Sequence, residues 1–193
     1  MSAASSHFSE YGLAGLRMRA EEYFALGVTQ ERYELVNGVV MMSPSPRPRH
    51  WKMIQAVILQ LAEFERAGGK VDIYCKTDLR IDDLDVFRPD ICVYASLSGG
   101  TIPERLTAPP DLVVEVLSPG TEAFDLVTKK DEYELRAVKE YWVIDPVDAR
   151  VRAWHREGNR FLETPVEGGS LASRAITGFM LDLQRLARAT GRG

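Results

Sequence analysis

Asp111-Leu112-Val113-Val114-Glu115-Val116-Leu117-Ser118-Pro119-Gly120 holds one acid inside an otherwise apolar run. An apolar run closed by Ser118-Pro119-Gly120 reads as a strand buried on both faces. Strands of that kind run through the middle of a sheet covered by helices. Glu115 breaks the pattern. An ionised carboxylate there loses its hydration, at a cost of several kcal/mol unless a partner compensates. A metal ion, a salt bridge or protonation would each serve. A second acid, Asp90, stands in Arg88-Pro89-Asp90-Ile91-Cys92-Val93-Tyr94, at the start of another apolar strand. Glu115 shares a strand face with Val113 and Leu117, and Asp90 shares one with Cys92 and Tyr94. On neighbouring strands the two carboxylates converge, close enough to share one cation. Two hard oxygen ligands, with a backbone carbonyl and waters, suit Mg²⁺ or Mn²⁺. Zinc is disfavoured, because His7, His50 and His155 are the only histidines and show no paired spacing.

Working outward, strands are expected over residues 86–94 and 111–117, and an alternating strand over 71–81. Upstream, Asn37-Gly38 between Arg32-Tyr33-Glu34-Leu35-Val36 and Val39-Val40-Met41-Met42 is a hairpin signal, since both turn residues tolerate positive φ. The segment 43–49 holds three prolines and cannot be regular. Helices are expected over 13–26, 50–67, 122–138 and 181–188, with Gly27 and Gly68-Gly69 as stops. In the second of these, Trp51, Ile54, Ile58 and Leu61 fall at helical spacing. Further strands are expected at 140–145, 151–154 and 160–164, and a functional loop over 97–110. The order of strands and helices gives an α/β (α+β) fold, one mixed sheet flanked by helices.

The chain of 193 residues is expected to form a single domain, 1–193, with 1–10 disordered. A hydrophobic content of 45% with 27% charged residues is that of a soluble globular protein. No apolar stretch approaches the roughly 18 residues of a membrane span, and residues 1–10 lack a signal-peptide pattern. Cys75 and Cys92 are too few for a disulfide scaffold, so a cytoplasmic setting is expected. A net charge of −4 argues against indiscriminate coating of nucleic acid but permits a local basic cleft. Gly-rich phosphate loops and GxSxG elbows are absent.

Asp125, Lys129 and Tyr133 recur every four residues after the decisive strand. They form either a surface ion pair beside a tyrosine or a lysine reaching back to the acids. An ammonium beside a metal site stabilises the charge of phosphodiester hydrolysis. Glu34 is either an edge-strand charge or a further member of the site. His50 reads as a helix-start residue or a catalytic one. Arg47 and Arg49 suit a phosphate backbone or plain solvent. Tyr141-Trp142 fits the core better than base stacking.

Glu34-Leu35-Val36-Asn37-Gly38, His50 after a proline-rich loop, Arg88-Pro89-Asp90, the 111–119 stretch and Glu140-Tyr141-Trp142-Val143-Ile144-Asp145 together resemble the Uma-type family of restriction-endonuclease-like proteins. That family belongs to the PD-(D/E)XK nuclease superfamily, and the resemblance covers about residues 20–165. It implies a restriction-endonuclease-like fold, a mixed central sheet flanked by helices, and a Mg²⁺-dependent phosphodiesterase site. It makes Asp90 and Glu115 the catalytic acids and metal ligands. The signature lysine two residues after Glu115 is missing, because Leu117 stands there. The following helix supplies the match at Lys129, with Lys130 as the adjacent rival about 100° around the helix. Glu34 matches the family's N-terminal glutamate.

The function expected is a Mg²⁺-dependent DNA endonuclease, with Mn²⁺ as substitute, catalytic residues Asp90, Glu115, Lys129 and Glu34, and a homodimer to cut both strands. The alternatives are a catalytically inactive nuclease-fold module for binding or oligomerisation, and a small-molecule phosphodiesterase.

Overall fold

The computed structural model describes residues 12–29, 31–43, 45–95 and 102–191. Its central sheet has the order β10-β9-β8-β7-β6-β3. These strands are β3 (Asp72–Cys75), β6 (Ile91–Tyr94), β7 (Leu112–Val116), β8 (Glu140–Ile144), β9 (Val151–Glu157) and β10 (Arg160–Thr164). β7 and β8 pair in parallel and every other neighbour is antiparallel. A parallel pair needs a crossover. Residues 122–139 provide it, through a helical segment Phe124–Lys129 wound with i→i+5 bonds that runs into α3 (Lys130–Leu135).

The pleat sorts the core. Leu112, Val114 and Val116 of β7 join Ile91 and Val93 of β6 on one face, under α2 (Pro48–Arg66) and α4 (Leu183–Ala189). Val113, Cys92 and Tyr94 lie on the other face with Tyr133, Tyr141 and Trp154, on the α3 side. Both faces of β7 are therefore buried, as its apolar run requires.

A second sheet, β2-β1-β5-β4, is built from β1 (Tyr33–Val36), β2 (Val39–Met42), β4 (Leu79–Arg80) and β5 (Val86–Phe87). Asn37 and Gly38 both have positive φ in the β1–β2 turn, as the hairpin signal demands. This sheet packs with α1 (Ala20–Ala25) around Tyr23, Leu35, Val40 and Val86.

The expected strand over 86–94 is two strands in two sheets. Pro89 has no N–H to continue a ladder, and the chain changes sheet there. The expected strand over 71–81 divides likewise at Lys76, whose φ of 53° ends β3. The helix expected over 13–26 covers only Ala20–Ala25, because Arg17 bridges Val39 and holds the preceding chain extended. On α2 the buried stripe is His50, Met53, Ile54, Val57, Gln60 and Leu61, which leaves Trp51 48% exposed. The C-terminal hairpin of β11 (Ser170–Ala172) and β12 (Met180–Asp182) precedes α4, whose N-cap Asp182 accepts from the N–H groups of Gln184 and Arg185. The loop expected over 97–110 lies partly outside the described residues. Among the described residues no helix is long and apolar enough to cross a membrane.

Candidate active site

Two hydrogen bonds from backbone N–H groups to carboxylates tie the acids together. Ile91 pairs with Val114 and Cys92 with Val113, so the antiparallel register carried one step further sets Asp90 opposite Glu115. Asp90 N–H donates to Glu115 Oε2 at 3.1 Å, and Val116 N–H donates to Asp90 Oδ2 at 2.7 Å. Each side chain thus takes the place of a ladder bond where Pro89 has interrupted pairing. Both are buried, Asp90 at 2% and Glu115 at 3% exposure, so neither is hydrated as a surface acid would be.

The crossover delivers the lysine. Lys129 Nζ lies 2.9 Å from Glu115 Oε1, 3.0 Å from Glu34 Oε1 and 3.6 Å from Asp125 Oδ1. Tyr133 adds its hydroxyl to Glu115 Oε1 at 3.2 Å. Asp125, Lys129 and Tyr133 therefore do share a face, and it is turned inward. Lys130 points away and pairs with Asp131 at 3.2 Å. The i→i+5 winding occurs where the segment passes over Glu115; such bulges are frequent at functional sites. Glu34 reaches the site from β1, accepting from Arg88 N–H at 2.7 Å and Ser43 Oγ at 3.0 Å.

His50 enters from the first turn of α2, with Nε2 3.1 Å from Asp90 Oδ2. Its Nδ1 is buried with no hydrogen-bond partner among the described residues. Lys76 pairs with Asp90 Oδ1. No sequence signal marked Lys76, since a lysine at a strand end is ordinary. Arg88 turns to Asp78 at 2.7 Å. Tyr141 and Trp142 are fully buried core residues, and Tyr141 donates to the Asp125 carbonyl at 2.9 Å.

Burial, and then the neighbouring charges, set the titration of these groups. Burial pushes Glu115 up to about 8, which Lys129 opposes and Asp90 reinforces. Burial likewise raises Asp125 to about 6. Burial acts on Glu34 as well, but Lys129 and the Arg88 N–H overcome it and hold its carboxyl below the usual range. Asp90 is also lowered against its burial, by His50 and Lys76. Burial disfavours the Lys129 charge, yet Glu115, Glu34 and Asp125 keep it protonated far above the ordinary lysine range.

Glu34, Asp90, Glu115, Asp125, Lys76 and Lys129 line one cleft of about 70 Å³. Drug-sized ligands need about 300–1,000 Å³, so this cleft fits an ion or the edge of something larger. Four carboxylates face two ammonium groups there, and the Arg88 guanidinium at its edge is turned to Asp78. Among the described residues no group of three or more His, Cys, Asp or Glu is disposed to hold a metal. Asp90 and Glu115 would offer hard carboxylate oxygens as donors. That fits Mg²⁺, which is held by one or two carboxylates and keeps several waters.

The chain has the fold of a solved protein from Anabaena variabilis, described as "a putative nuclease belonging to DUF820". The TM-score is 0.73 at 16% identity, over 90% of this chain and 99% of that one. The shared fold is restriction-endonuclease-like, with a mixed sheet flanked by helices. No curated protein matches the chain. The model of the Uma2 family, described as "putative restriction endonuclease", matches residues 20–184, and the chain belongs to that family.

Proposed function

We propose that this protein is a Mg²⁺-dependent endonuclease that hydrolyses phosphodiester bonds in DNA, with Mn²⁺ able to replace Mg²⁺. The observation that carries this reading is the pair Asp90 and Glu115, bonded across two strands with Lys129 on Glu115. Family membership and the fold of the Anabaena protein support a nuclease.

Asp90 and Glu115 would hold the cation, with Asp90 oriented by Val116 N–H and His50. A bound Mg²⁺ supplies charge neutralisation at the scissile phosphate and acidifies the attacking water. Lys129 offers a fixed positive charge beside Glu115, where negative charge builds up in the transition state. Glu34 positions that ammonium through its 3.0 Å contact. Because Lys129 already faces the acids, its contribution needs little reorganisation during reaction. We assign the whole chain, 1–193, to one nuclease-like domain working in the cytoplasm as a homodimer.

Calorimetry with Mn²⁺ tests the metal site, on the wild type, Asp90→Ala and Glu115→Ala, beside cleavage of a DNA duplex in Mg²⁺. One metal bound by the wild type and none by either variant, with cleavage lost in both, is the expected result. A wild type that neither binds metal nor cleaves would leave the rival reading, a catalytically inactive nuclease-fold binding module. One observation favours that rival: Asp90 is paired with Lys76 and Glu115 with Lys129.

A further inference from the structure

We propose that Lys76 is an internal counter-ion that a divalent metal must displace from Asp90, so that this residue sets the metal affinity of the site. The inference rests on the metal-dependent reading above. Lys76 ends β3 in a left-handed conformation, φ 53°, which is uncommon for a lysine. Such backbone persists where the surroundings over-determine it, and it clusters at functional sites. Here its N–H is shared between the carbonyls of Pro89, at 3.1 Å, and Asp90, at 3.3 Å. The residue is thereby clamped against the turn that carries the acid, and its ammonium sits on Asp90 Oδ1.

The two lysines of the cleft are not equivalent. Lys129 is 5% exposed at its side chain and touches three carboxylates, so it has nowhere else to put its charge. Lys76 is 26% exposed, and Asp90 is its one carboxylate among the ion pairs of the described residues. Its flexible stem can swing the ammonium into water at little cost. Asp90 Oδ2 is taken by Val116 N–H and His50, so Oδ1 is the oxygen left for a cation. Lys76 occupies it, and a metal and the ammonium therefore compete for one atom.

The test is Mn²⁺ calorimetry on the wild type, Lys76→Asn, Lys76→Gly and Lys76→Arg, with Asp90→Ala as control. Asparagine and glycine both tolerate the left-handed backbone while removing the charge, and thermal melts check folding. Both neutral variants should bind Mn²⁺ more tightly by roughly tenfold, a coupling of ordinary size between two ligands of one group. Lys76→Arg should stay close to the wild type. Unchanged or weaker binding in both neutral variants, with the wild type binding normally, would overturn it and leave the metal site standing. Absence of binding in every variant would overturn the metal reading itself and this inference with it.

Discussion

Lys129 Nζ lies 2.9 Å from Glu115 Oε1, carried there by a helical turn wound i→i+5 rather than i→i+4. The pair joins the decisive strand to the crossover that follows it. It also neutralises part of a carboxylate cluster that burial would otherwise force to protonate.

Replacing Lys129 should therefore affect both chemistry and stability. Lys129→Ala should lower DNA cleavage by about 10²–10³-fold, the loss typical of one transition-state charge contact. It should also destabilise the metal-free protein by about 3 kcal/mol, since it strips a buried cation from its partners. Lys130 is on the outer side, and Lys130→Ala should stay within about ±0.5 kcal/mol with cleavage intact. Steady-state cleavage and urea unfolding of the two variants settle the ranking. The reverse order would move the role to Lys130.

The pH dependence follows from Glu115. Its carboxyl is raised from 4.5 to about 8 in the fold, so the folded state holds a proton that the unfolded chain has released. Its contribution is fully present below about 4.5 and lost as pH rises towards 8. Asp125, raised to about 6, acts in the same sense over a lower range. Glu34 and Asp90, held below their ordinary values, act oppositely and lose their contribution in acid. In metal-free melts the midpoint should fall between pH 5 and 8, and Glu115→Gln should flatten that slope. Mg²⁺ should raise the midpoint more at pH 8 than at pH 5.5, because less proton has to be displaced. A Mg²⁺ effect that shrinks with pH would refute the assignment.

Glu140 is fully buried in β8 and serves the fold. It accepts from Trp142 Nε1 at 2.9 Å, Ser173 Oγ at 2.5 Å and the N–H groups of Arg174 and Ala175 at 3.1 and 3.0 Å. Glu140→Ala leaves these donors without an acceptor, and a cost of about 2–4 kcal/mol is expected. The C-terminal hairpin should loosen first, which hydrogen exchange of residues 170–182 would show. Uniform exchange across the chain would contradict this.

A homodimer is expected in solution, since cutting two antiparallel strands calls for two sites related by a two-fold axis. Sedimentation at micromolar concentration should give twice the monomer mass, and a monomer would remove the two-site argument.

Elements with local signals were legible in the chain before any tertiary contact was known. The uniform apolar run 112–117 dictates a strand buried on both faces, and Asn37-Gly38 dictates a hairpin through its positive φ. A charge inside that run marked Glu115 as a residue needing a partner, whatever the partner proved to be. Long-range choices became visible in the folded chain. Pro89 and Lys76 send two apparent strands into two sheets, which depends on partners distant in sequence. His50 and Lys76 join Asp90 from a helix start and a strand end, positions where histidine and lysine are ordinary. The spacing of Asp125, Lys129 and Tyr133 already set Lys129 apart from Lys130, and the packing of the crossover on β7 turns that face inward onto Glu115. A pattern of side chains reports what must be buried. The atom each group meets is fixed by the register and packing of segments far apart in the chain.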